Sequence, residues 1–296
     1  MPIKVGILMG GASEERLISL STAQAVNEAC VALGYSVSKL LFNKNYVKFL
    51  DEMKNLDIVF NALHGGIGEN GEIQKWMEKN GIKYTGSGPL ASALCMDKAK
   101  SKQLVKEMHI ETPPWQLLYN LEDVINIDFP LVVKPNQQGS TVGLTVVKEK
   151  QKIKSALKEA FKYDKSVIVE KYIKGLELTV PIIGDSILPI IEIRPLHNLY
   201  DYDCKYTPGM TKYNCPATID CKIVEKINDN TRVIFNKLNC SVYARADYIL
   251  DSKGVPYFLE MNTLPGMTST SLLPKSAMAM GVTFTKLIET IIKLSL

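Results

Sequence analysis

The sequence predicts an α/β unit at the N-terminus that passes into α+β units, and three observations carry that prediction. Short apolar runs alternate with helical patterns over residues 1–96, which implies a parallel sheet with crossover helices. From Phe129 onward, strand signals follow one another closely around a single helix. The chain has 296 residues, and at roughly 100–200 residues per domain that is room for two or three domains with a buried core.

Taken in order, Val5–Met9 is an apolar run ending at Gly10-Gly11, a first buried strand and its turn. Glu15–Leu33 carries a helical pattern stopped by Gly34, and Ser36–Phe42 and Asp57–Leu63 read as further strands. Pro89–His109 reads as one helix, after which Thr112-Pro113-Pro114 breaks the chain. Strands are expected at Leu131–Lys134, Leu144–Lys148, Val167–Glu170 and Glu177–Ile183, with a helix near Gln151–Lys162, which suits a small antiparallel α+β unit. Ile187–Ile193 is apolar. His197–Pro216 is polar and aromatic without periodicity, as lids and binding loops often are. A helix near Lys222–Leu238, strands Tyr243–Leu250 and Pro256–Met261, and an amphipathic last helix complete the chain.

Composition narrows the function. Apolar residues are 46% and charged residues 22%, ordinary globular values that exclude a disordered, collagenous or rod-like chain. A net charge of +4, without long blocks of one sign, argues against a nucleic-acid surface. No apolar stretch reaches the ~18 residues of a membrane span. The six cysteines show no C-x-x-C pair and the three histidines no cluster, so free thiols in a reducing cytoplasm are expected rather than a disulfide framework or a zinc site. Glu14-Glu15-Arg16 follows the first apolar run too closely for a signal peptide. His109 and His197 receive no role.

The chemistry-bearing residues fall in three places. Arg245-Ala246-Asp247 and Glu260-Met261-Asn262 lie on neighbouring strands joined by the hairpin signal Asp251-Ser252-Lys253-Gly254. Alternation puts Arg245 with Asp247, and Glu260 with Asn262, on one face. Two carboxylates and an amide oxygen suit Mg²⁺, although the same pattern also describes a solvated, ion-paired strand face. Asn136–Gly143 is a Gly/Ser/Thr loop that can aim N–H groups and hydroxyls at phosphate or be an ordinary turn, with Lys134 just before it. Glu14 and Glu15 open the first helix, either to complement its dipole or to bind an ammonium group. His64 precedes Gly65-Gly66. There is no G-x-x-x-x-G-K-[ST], and Gly10-Gly11-Ala12-Ser13 lacks the full dinucleotide fingerprint, which weighs against P-loop enzymes and dehydrogenases.

In order along almost the whole chain, these pieces resemble the D-alanine–D-alanine ligases of the ATP-grasp superfamily. The landmarks are Leu8-Met9-Gly10-Gly11-Ala12-Ser13-Glu14-Glu15-Arg16, Ala62-Leu63-His64-Gly65, Tyr84-Thr85-Gly86-Ser87-Gly88, Met96-Asp97-Lys98, Val133-Lys134-Pro135 and Gly139–Gly143. Tyr200-Asp201-Tyr202, Lys205-Tyr206, Arg245–Asp247, Glu260–Thr263 and Pro265-Gly266-Met267-Thr268 complete them. The chain departs from the family at Asn70, where Asp is usual, and at Met261, where Ala is usual.

The resemblance implies a three-domain ATP-grasp architecture: an N-terminal α/β domain (1–96), a central ATP-grasp domain (97–183) and a C-terminal domain (184–296) with an ω-loop lid near 197–216. It implies phosphorylation of one D-alanine carboxylate by ATP, then attack on the acyl phosphate by a second D-alanine amine, in the cytoplasm, by a homodimer. Lys98, Lys134, Ser140, Thr141 and Lys205 would hold phosphates. Glu170, Lys171 and Ile173 would hold adenine, and Glu177 the ribose. Asp247, Glu260 and Asn262 would bind two Mg²⁺, with Mn²⁺ able to substitute. Arg245 and the Gly266 N–H would face the oxyanion. Glu15, Ser140 and Tyr206 would anchor and order the two amino acids, with His64 beside the first and Lys205, Ser271 and Leu272 beside the second. A ligase using D-serine or D-lactate as second substrate and a silent nucleotide binder are the competing expectations.

Overall fold

The computed structural model describes residues 1–196, 207, 209–268 and 270–296. Strand β1 (Lys4–Gly10) runs parallel to β2 (Ser36–Phe42) on one side and β3 (Ile58–Asn61) on the other. It is buried almost throughout because helices cover the sheet. Helix α1 (Arg16–Ala32) contributes Ala23, Val26 and Cys30 to the core there, and the last helix of the chain contributes Leu287, Ile288 and Ile291. Two short helices, α2 (Leu50–Lys54) and α3 (Glu72–Lys79), flank β3 in sequence.

The helix expected over Pro89–His109 is two helices, α4 (Pro89–Met96) and α5 (Lys98–Glu107). Asp97 lies between them in extended conformation (φ −83°, ψ 94°), and its carboxylate accepts from the Lys100 N–H at 3.1 Å. The apolar pattern runs through the break unaltered, so the cap, not the periodicity, divides the segment.

A four-stranded antiparallel sheet follows, ordered β4-β7-β5-β6 from β4 (Trp115–Leu118), β5 (Leu131–Pro135), β6 (Thr145–Val147) and β7 (Val167–Lys171). Helix α6 (Ile153–Ala160) packs Ala156, Leu157 and Ala160 onto it. Strand β4 escapes the sequence reading: it has only four residues and follows two prolines.

The largest sheet is ordered β11-β10-β8-β12-β13, with β9 (Ser186–Ile187) on β8. Its members are β8 (Gly175–Ile183), β10 (Ile191–Pro195), β11 (Thr211–Asn214), β12 (Tyr243–Asp251) and β13 (Pro256–Asn262). Strand β8 therefore pairs here and not with the central strands among which its sequence position placed it. Leu178, Val180 and Ile182 on β8 and Ala244, Ala246 and Tyr248 on β12 turn one face to α4, α5 and helix α7 (Cys221–Lys237). The other face carries the polar residues. Part of the segment expected to be an unpatterned lid is β11, whose Tyr213 packs near Ile191, Ile193 and Leu272. The rest of that segment, apart from Thr207, Gly209, Met210, Cys215 and Pro216, lies outside the described residues. Helices α8 (Leu272–Ala279) and α9 (Phe284–Ser295) close the chain. Among the described residues no helix is long and apolar enough to cross a membrane, and Cys30, Cys95, Cys215, Cys221 and Cys240 are free thiols.

Candidate active site

The β12–β13 hairpin sets the floor of the site. Its register puts Asp247 opposite Glu260 and Arg245 opposite Asn262, with an irregularity just after Asp247. Arg245 donates from Nε and Nη2 to the two oxygens of Asp247 at 2.9 and 2.7 Å. Thr179, paired with Asp247 across β8, donates its hydroxyl to the same carboxylate at 2.5 Å. Glu260 lies 3.2 Å from the Lys98 ammonium. Asn262 Oδ1 accepts from the Leu264 N–H at 2.8 Å, which engages one of its two lone pairs. Met261 points into the core, as alternation requires. Two facing carboxylates and an amide oxygen form a hard-oxygen donor set of the kind Mg²⁺ shares with substrate phosphates.

Lysines from two other elements reach over this floor. Lys98 opens α5, and the Asp97 cap is itself held by the Asn136 side-chain amide at 2.9 Å. The Lys98 ammonium donates to the Gln138 carbonyl at 2.7 Å, which ties α5 to the loop after β5. Lys134, next to last in β5, pairs at 2.9 Å with Glu170 of β7. Burial would raise the Glu170 carboxyl, but Lys102 and Lys134 beside it outweigh burial and hold it below the ordinary carboxylate range. The Lys171 ammonium is turned away to the Asp128 and Phe129 carbonyls at 2.9 and 2.8 Å, and its N–H donates to Pro114 at 2.8 Å.

The loop that follows β5 bends through Ser140 and Thr141 at φ 49° and 61°. Non-glycine residues adopt that region sparingly, and such strain gathers at working sites. It brings the Ser140 hydroxyl onto the Glu15 carboxylate, to which it donates a hydrogen bond. Glu15 immediately precedes α1 and is 9% exposed. Gly65, at φ 66°, lets the backbone pass so close that a Cβ there would lie 2.7 Å from Glu15 Oε2. His64 shares a hydrogen bond with Thr22 at 2.9 Å through Nε2, and Glu69 lies 3.7 Å from its Nδ1. Ser271 immediately precedes α8, and its hydroxyl accepts from the Thr268 N–H at 3.0 Å.

Two adjoining cavities unite these groups. Glu15, His64, Asn262, Gly266 and Ser271 line the first. Lys134, Thr141, Glu170, Lys171, Ile173, Glu177 and Asp247 line the second. Lys98, Ser140, Arg245, Glu260 and Leu272 line both. The sequence of this chain matches the D-ala D-ala ligase N-terminus over residues 36–87 and the D-ala D-ala ligase C-terminus over residues 104–293. The chain belongs to the D-alanine–D-alanine ligase family.

D-alanine–D-alanine ligase B of Clostridium perfringens is 40% identical over 99% of this chain and 98% of its own length. The D-alanine–D-alanine ligase of Bacillus anthracis, solved in complex with ATP, is 38% identical, covers 100% of this chain and 97% of its own, and superposes with a TM-score of 0.88. The VanG D-Ala:D-Ser ligase of Enterococcus faecalis is 29% identical with a TM-score of 0.87, both chains being covered in full. In this member of the ligase family, Lys205 and Tyr206 lie outside the described residues. All the other expected site residues border one cavity or both. Three contributors were not anticipated: Thr179 and Lys102, whose partners come from distant strands, and Thr22, a buried helix residue. Asp97 was quoted as a motif residue, but its capping role is visible only in three dimensions.

Proposed function

We propose that this chain joins two D-alanines to D-alanyl-D-alanine at the expense of ATP, through a D-alanyl phosphate, to supply a peptidoglycan precursor. One observation carries the reading. Glu15, the expected ammonium anchor, is hydrogen-bonded to Ser140 in the loop whose Gln138 carbonyl holds Lys98. The anchor for an amino acid and the clamp for a phosphate are thus parts of one connected structure. The names of the Clostridium and Bacillus relatives, and the ATP in the Bacillus complex, support the same reading.

In this reading ATP lies in the second cavity, with adenine along Glu170–Ile173, ribose at Glu177 and phosphates between Lys98, Lys134 and Thr141. Glu15 holds the ammonium of the first D-alanine beside His64, which aims its carboxylate at the γ-phosphoryl group. Phosphoryl transfer depends chiefly on placement and charge, and two lysines and an arginine converge there. Asp247, Glu260 and Asn262 would hold two Mg²⁺, or Mn²⁺, which would neutralise the transferred phosphoryl group. The second D-alanine, with its carboxylate toward Ser271, Leu272 and Lys205, then attacks the acyl phosphate carbonyl. Arg245, exchanging part of its fork on Asp247, and the Gly266 N–H stabilise the oxyanion. Collapse of the tetrahedral intermediate expels phosphate. Tyr206 would join Glu15 and Ser140 in ordering the second D-alanine and assisting deprotonation of its ammonium before attack, and the 197–216 segment would shield the acyl phosphate from water.

We further propose that 1–96, 97–183 and 184–296 act as three units, with β8 the part of the central unit woven into the C-terminal sheet. The protein would work as a cytoplasmic homodimer, which sedimentation of the purified chain and fractionation of the cell would test. The reaction itself is tested by ADP release and mass spectrometry of products with Mg²⁺-ATP and D-alanine, with D-serine, D-lactate and L-alanine in parallel. One ADP per D-alanyl-D-alanine is the expected result. ATP binding without ADP release would leave a silent binder instead.

A further inference from the structure

Lys102 sits on α5 four residues after Lys98, on the same face of the helix. Unlike Lys98 it borders neither cavity, and its side chain is 0% exposed. Its ammonium meets three segments of chain: Glu170 Oε1 on β7 at 3.0 Å, the Thr112 hydroxyl at 2.8 Å, and the Phe258 carbonyl on β13 at 3.3 Å. The Thr112 hydroxyl in turn donates to the same carbonyl at 2.9 Å. Two hydrogen bonds and the Glu170 ion pair thus compensate the buried ammonium, as burial of a charge requires.

The consequence lies on the far side of Glu170. That carboxylate is divided between two ammonium groups, with Lys102 on one oxygen and Lys134 on the other at 2.9 Å. If Glu170 faced Lys134 alone, the pair would be neutral and would hold the clamp lysine back from phosphate. With Lys102 behind it, the row of three carries a net positive charge, and its accessible end is Lys134. We propose that Lys102 is a positioning residue for ATP: it balances Glu170 from the side remote from the cavity, so that Lys134 keeps its charge for phosphate and β7 is held against α5 and β13. This inference rests on the ATP-binding reading above.

A pH signature follows from the same geometry. Burial pushes the Lys102 ammonium down to about 8; Glu170 and Glu260 oppose that effect and Lys134 adds to it. Above that pH Lys102 loses its proton and Glu170 turns wholly to Lys134. The KM for ATP of the unaltered enzyme should therefore climb between pH 7.5 and 9.5, a window set around that value.

The test is steady-state kinetics of Lys102→Met, which keeps the chain length and removes the charge. The KM for ATP should rise about tenfold at pH 7, the effect of one charge-assisted contact, and should no longer vary up to pH 9.5. The KM for D-alanine should stay unchanged. Lys102→Arg, which restores the charge behind Glu170, should bring the KM for ATP back toward that of the unaltered enzyme and hold it there over the same pH range, because a guanidinium does not titrate in it. If Lys102→Met does not fold, Lys102→Arg replaces it, and the loss of the alkaline rise in KM for ATP is then the reading. An unchanged KM for ATP in Lys102→Met, an alkaline rise persisting in either variant, or Lys102→Arg no better than Lys102→Met would overturn the proposal. Failure of the unaltered enzyme to bind ATP would instead overturn the ATP reading itself.

Discussion

Glu260 touches both halves of the proposed chemistry, facing Asp247 across the hairpin and Lys98 at 3.2 Å. Glu260→Gln keeps the shape and removes the charge. Turnover should fall on the order of 10²-fold or more, as loss of a metal-ordering group does, while ATP binding measured by calorimetry weakens less. Near-normal ADP release would take Glu260 out of the metal set. Gly65→Ala makes a contrasting prediction. The φ of 66° disfavours any side chain by about 1–2 kcal/mol, and the added Cβ would press on Glu15. The KM for D-alanine should rise and the KM for ATP should not. Equal changes in both would mean that Glu15 is not the amino-acid anchor.

Between elements, the joint of α4 and α5 is a single bracket, with Asp97 capping α5 and gripping Asn136. Asp97→Ala should destabilise the fold by about 1–2 kcal/mol, the usual cost of a lost cap, and raise the KM for ATP because Lys98 starts that helix. Urea melts with parallel kinetics would show both, and a stability loss without a kinetic change would sever the cap from the clamp. The sequence concealed this joint because aspartate in a helical pattern looks like one more polar position. Alternation, by contrast, is local, so Arg245 with Asp247 and Glu260 with Asn262 could be placed on one face from spacing alone. Thr179, Lys102 and the pairing of β8 could not, because each depends on a partner from a remote segment, and strand register has no local code. The four-residue edge strands β4 and β11 take their pairing from the backbone ladder, and little in their side chains announces it.

Across the molecule, titration follows the buried groups. Glu170 is held below its ordinary value, so its contribution is fully present above that value and is lost as the pH falls through the lowered one. Thermal stability should therefore drop below about pH 4, and less steeply in Glu170→Gln paired with Lys102→Met. Burial raises the phenols of Tyr243 and Tyr248, and the unfolded chain then loses those protons first. Stability should accordingly fall again above about pH 10; a flat alkaline limb would mean that these rings are wetter than their packing indicates. The same architecture has a consequence for the lineage of the chain. The Lys171 N–H bonds to the Pro114 carbonyl at 2.8 Å, so the polypeptide enters and leaves the β4-β7-β5-β6 sheet through one doorway. In topology that sheet is a cassette, since its excision would leave both remaining sheets threaded as they are. A chain with a short glycine bridge from Pro114 to Lys171 should still fold, with its nucleotide wall removed.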